Sequence, residues 1–167
     1  MKKILSIAAM MLLLLVPQYS EAQTNAAVNG LDVECLGVEH DGSQTLRVTG
    51  RGRNKADAIE QAKKDAIMAV IFTGVSKGRG GCDVRPLIFE ANAREKYEDY
   101  FNIFFMDRGE YTKYASMEDE KRGSTKKVKS TKAEVVYRVT VRVDRGALKT
   151  RLKADGVIKQ NESKYNF

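Results

Sequence analysis

Three alanines spaced four apart, Ala58, Ala62 and Ala66, restrict the fold of this chain more than any other feature. They sit in the stretch Asn54–Gly74, with Ile59, Ala69, Val70 and Thr73 on the same side of a helical period. Lys55, Glu60, Lys63, Lys64 and Asp65 fall mostly on the other side. Side chains this small let a helix axis come close to whatever it covers, and the expected partner is a β-sheet. Asn54 is placed to cap the first turn, Asp57 lies where the helix dipole favours a carboxylate, and Gly74 suits the position just past the end.

Sheet partners are present on both sides of this helix. Leu31 to Glu39 alternates, with Leu31, Val33 and Cys35 on one face, and His40-Asp41-Gly42-Ser43 supplies a hairpin turn. Gln44 to Thr49 returns with Leu46 and Val48 facing the core. His40, the only histidine, reads as a solvated turn residue. Gly50-Arg51-Gly52 then links strand to helix. A dinucleotide-binding turn would need a third glycine where Lys55 stands, so the two glycines read as allowing a tight crossover. Far along the chain, Ala133 to Val143 is the plainest strand, with Val135, Tyr137, Val139, Val141 and Val143 on one face and Arg138, Thr140 and Arg142 on the other. Asp144 caps a closing helix that buries Leu148 and Leu152 and ends at Gly156.

Between these blocks the readings are less regular. Val75 to Cys82 is glycine-rich and basic. Successive amides there could form an anion-binding nest at Gly80 and Gly81, with Lys77 and Arg79 adding charge, or the segment is a plain surface loop. Pro86-Leu87-Ile88-Phe89 is a short apolar anchor. Asn92 and Glu95 form a capping-box pair for a second helix, on which Tyr97, Phe101, Phe104 and Phe105 make an aromatic face that reads as core. Glu95 and Asp99, four apart, have the spacing of paired hydrolase acids, but a solvated face accounts for them more simply. Glu110 to Met117 reads as a strand, and 118–132 as a long charged connection. The order strand, strand, helix, helix, strand, strand, helix gives an α+β fold: an antiparallel sheet of about four strands with two to three helices packed on it.

The chain opens with Met1-Lys2-Lys3, an apolar run from Ile4 to Val16 and a Pro17 break, followed by Ser20-Glu21-Ala22. That is the pattern of a secretory signal peptide over 1–22, with cleavage expected between Ala22 and Gln23. The run falls short of the roughly 20 residues of a spanning helix, and no later segment is long or apolar enough to span. The first cysteine is Cys35, so a lipid-anchored mature end is not expected. A flexible leader over 23–30, one domain over 31–158 and a frayed tail over 159–167 complete the division. Loss of two lysines and one glutamate takes the formal charge from +7 to +6. After export such a surplus could meet anionic lipid, acidic glycans or extracellular DNA, but not cytosolic nucleic acid, or it serves solubility alone. Cys35 and Cys82 either form a disulfide, as an oxidising compartment favours, or are two separately buried thiols.

Val48, Gly50, Gly52, Asn54, Ala58, Ala62 and Ala66, followed by Val139, Val141, Val143, Asp144, Leu148, Leu152 and Gly156, resemble the pattern of a group of bacterial envelope domains. The group is the amino-terminal domain of the flagellar assembly protein FlgT, with the small outer-membrane lipoproteins that share its fold. Phe104-Phe105, Asp107, Gly109 and Tyr111 lie outside that pattern and look more like small exported proteins of Gram-negative anaerobes. The resemblance implies a structural or protein-interaction component, periplasmic, secreted or peripheral to the outer membrane. It implies no enzyme and no cofactor, and its partner would be another envelope protein. Binding of an anion or glycan through 76–81 is the alternative that the residues themselves leave open.

Overall fold

The computed structural model describes residues 31–117 and 124–159. The expected signal peptide with its cleavage site at Ala22 and Gln23, the leader, and all but the first residue of the tail lie outside the described residues. The fold is mixed α+β, a curled antiparallel sheet of four to five strands with four helices. Strands β1 (Val33–Val38) and β2 (Gln44–Gly52) form the first hairpin, and helix α1 (Lys55–Met68) follows. Two short helices, α2 (Ala93–Lys96) and α3 (Glu98–Phe104), precede β3 (Ala115–Met117) and β4 (Thr125–Ser130). Strand β5 (Val135–Val143) and helix α4 (Arg145–Ala154) close the domain. The sheet order is β1-β2-β5, with β3 and β4 both pairing antiparallel with the free edge of β5.

Alanine spacing and glycine spacing interlock. Gly50, Arg51 and Gly52 are not a link, as the sequence reading had them; they extend β2 and pair with Tyr137, Val136 and Val135. Their glycines face α1. A Cβ at Gly50 would stand 2.0 Å from the Ala58 carbonyl oxygen, and one at Gly52 would stand 2.5 Å from the Ala58 nitrogen. The absent side chains are therefore a seat for the helix within the strand rather than a tight crossover after it. Ala58, Ala62 and Ala66 are fully buried against this seat, beside Leu46, Val48, Val139, Val141 and Val143. Asn54 caps α1 by accepting a hydrogen bond from the Asp57 N–H at 3.0 Å.

The far side of α1 is covered as well, where solvent was the simpler expectation. Tyr111 is wholly buried, donates to Glu60 at 2.7 Å, and lies beneath the Lys64 ammonium. Phe101 meets Phe72 edge-on at 4.9 Å between ring centres. The aromatic face is thus core, a second apolar layer with α1 between it and the sheet. Beyond Met68 the helix widens into a π turn, Ala69–Thr73, which ends at Gly74 with φ +71°. The carbonyls of Val70 and Ile71 accept from the Leu87 and Ile88 N–H groups, so the short apolar anchor satisfies the end of the helix.

Three further segments depart from the sequence reading. The second helix breaks at Tyr97, and Asn92 takes a left-handed φ of 57° with no side-chain cap, so no capping box forms. A cap residue needs extended backbone to aim its side chain at the next amides, and a left-handed Asn cannot do so. Glu110–Lys113 is a 3-10 turn, leaving only Ala115–Met117 as strand. Thr125–Ser130, within the expected connection, is strand β4; residues 118–123 of that connection lie outside the described residues. In β5, Val135 and Tyr137 are only partly buried, whereas Val136, on the other face, is buried.

Candidate functional site

Register decides which side chains share the face of the sheet turned away from α1. Leu46, Val48, Gly50 and Gly52 turn toward α1, so Thr45, Arg47, Thr49 and Arg51 turn away from it. Their partners on β5 are Arg142, Thr140, Arg138 and Val136. Lys126 stands opposite Arg138 and Lys129 opposite Val136. Glu34, on β1, stands opposite Arg47. On this side Thr45 and Val136 are buried, whereas Arg51, Arg138, Lys126 and Lys129 are exposed.

Charge is sorted across that face. Toward β1 the cations are matched: Arg47 to Glu34 at 2.9 Å, and Arg142 to Glu39 at 3.6 Å. Arg51 reaches Glu134 at 3.5 Å. Toward β4 they are not. Lys126, Lys129 and Arg138 are all exposed, and none has an acidic partner among the described residues. Lys126 and Arg138 are directly opposite on neighbouring strands, an arrangement that costs free energy in a sheet unless something anionic lies over it.

The basic glycine loop is placed elsewhere. Cys35 and Cys82 are joined by a disulfide, with Cα atoms 5.8 Å apart. The Cys35 N–H donates to the Lys77 carbonyl at 2.8 Å, and Gly78 forms a bridge with Cys35, so the loop runs along the outer edge of β1. Gly80 packs so closely on Leu36 and Gly37 that a Cβ would stand 2.4 Å from the Gly37 nitrogen. Gly78 and Gly81 have positive φ. Lys77 lies 3.7 Å from Asp32, and Arg79 is exposed. Three strand spacings, about 14 Å, separate this edge from β4, so Lys77, Arg79, Gly80 and Gly81 do not converge with the basic strand.

Glu95 and Asp99 are not brought together either. Both are exposed, and the helix break at Tyr97 lies between them. A groove of about 440 Å³ beside α1 is lined by Glu95 and Glu98, with Arg94 and Lys64, but not by Asp99. A wider groove of about 670 Å³ at the start of α1 holds Arg53, Asp57, Lys64 and Asp107, whose charges are paired within it. His40 is exposed in its turn. Among the described residues no group of three or more His, Cys, Asp or Glu side chains is placed to hold a metal ion, and no helix is long and apolar enough to cross a membrane.

Sequence reasoning named Arg138 as outward-facing but missed Lys126 and Lys129 as strand residues. Only Val128 interrupts the polar run Thr125–Ser130, so no apolar alternation marks it. The signal that could have found it is its length, which matches the first half of β5. Comparison with protein-family models, with curated proteins and with solved structures finds no match to this chain.

Proposed function

We propose that the chain is an exported, non-enzymatic component of the bacterial cell envelope that works by binding another envelope protein, in the periplasm or at the outer membrane. One observation carries this reading: among the described residues, cations of the sheet without an acidic partner gather beside the β4 edge, on the face turned away from α1. The leading segment 1–22, the disulfide between Cys35 and Cys82, and the resemblance to envelope assembly domains support export. The paired or scattered disposition of the acids supports a binding role over hydrolysis. The alternative, an anion or glycan bound at 76–81, draws on the positive φ of Gly78 and Gly81 but has Lys77 already beside Asp32.

The test is recovery of the protein from the envelope of cells treated with a cross-linker, followed by intact mass. The reading expects a mature chain beginning at Gln23 and a discrete cross-linked complex. A cytoplasmic chain that retains residues 1–22, or a mature chain found only as monomer, would overturn it.

A further inference from the structure

We propose that the outer edge of β4 receives an extended acidic segment of the partner protein, which adds to the sheet as a further strand and sets its carboxylates over Lys126, Lys129 and Arg138. This rests on reading the chain as a protein-binding component and names the chemistry of the partner.

Two independent features meet at this edge. The first is backbone. The outer edge of β1 is already occupied by the Lys77–Gly78 backbone and fastened by the disulfide. The outer edge of β4 pairs with no strand among the described residues. In an antiparallel ladder every second residue turns its N–H and C=O away from its partner, so this edge presents a row of such groups for main-chain pairing. The second feature is charge. Lys126 opposes Arg138, Lys129 lies alongside, and no described acid answers them. An acidic strand would offset the like-charge pair and fill the backbone row together.

The same lysines discriminate between occupants. A second copy of β4 would bring lysine against lysine, the usual device by which edge strands avoid self-association. An acidic chain is attracted by the charges that repel a copy. An anionic membrane or polysaccharide would use the charges but leave the backbone edge unused, and the described residues of this face hold no aromatic ring on which a sugar could stack. Val128, in the bulge between Lys127 and Lys129, is 52% exposed and offers the added strand one apolar contact.

The probe is a synthetic peptide alternating glutamate and valine, tested against the full mature chain beside a peptide with glutamine for glutamate and vesicles of anionic lipid. The expected result is binding of the acidic peptide alone, with slowed hydrogen exchange in β4 and none in α1. Lys126→Glu with Arg138→Glu should weaken it at least about tenfold. Lys55→Glu with Lys149→Glu, an equal change of charge away from this edge, should leave it unchanged. No binding of the acidic peptide, equal binding of the glutamine peptide or the vesicles, or binding without slowed exchange in β4 would each overturn the proposal. If the peptide fails while cells still yield a cross-linked complex, the binding role stands and strand addition does not.

Discussion

A methyl group added at Gly50 would meet the Ala58 carbonyl oxygen at 2.0 Å and the Ala62 Cβ at 2.8 Å, both on a rigid helix. Gly50→Ala should therefore cost roughly 1–3 kcal/mol by overpacking. Gly37→Ala, with nothing within 4 Å of its Cβ, should cost far less. Chemical denaturation of the two variants checks this, and equal midpoints would mean that α1 does not rest on β2. The spacing of these glycines is plain in the sequence, but a residue without a side chain shows no alternation, so their strand role is not. Asp65 is a second instance. Burial raises its carboxyl above the ordinary aspartate value, offset in part by the hydrogen bond from Gln61 at 2.7 Å. The folded chain then holds a proton that the unfolded chain has released, so this group's contribution to stability falls as pH rises from the ordinary value through the raised one. Asp65→Asn should accordingly raise the denaturation midpoint at about pH 7 and change it little near pH 3. A lower midpoint for the variant at neutral pH would show that the carboxylate is favoured where it stands.

Helix α1 and strands β2 and β5 are readable from sequence because each carries its own apolar period. Elements that depend on a neighbour are not. Strand β4 has no apolar face and exists by pairing with β5. The aromatic segment has a helical period but splits at Tyr97, because its rings are placed by Phe72, Tyr111 and Tyr114 rather than by its own turns. The loop from Val75 to Cys82 likewise owes its path to β1. Closing a sequence separation of 47 residues should stabilise the fold by roughly 4 kcal/mol on the chain-entropy account. Cys35→Ser with Cys82→Ser should lose about that amount in urea denaturation under oxidising conditions, and reduction of the wild type should match it. A loss near zero would show that the backbone bond from Cys35 to Lys77 holds the loop unaided.

Across the whole molecule, one sheet separates two basic regions that look like neighbours in composition. Lys77 of the glycine loop lies at the β1 edge beside Asp32, with Arg79 exposed there, while Lys126, Lys129 and Arg138, without a described acidic partner, lie at the β4 edge. Net charge is visible in the sequence; its division between two edges is a consequence of strand order, which depends on long-range pairing. The central claim is that the β4 edge, and not the helical side, is where this protein meets its partner. A photo-reactive residue placed at Lys129 and, separately, at Lys149 on α4 tests it in growing cells. The account predicts a cross-linked complex from Lys129 that disappears when Arg138→Glu is added, and none from Lys149. A complex from Lys149 alone, or equal yields from both positions, would contradict it.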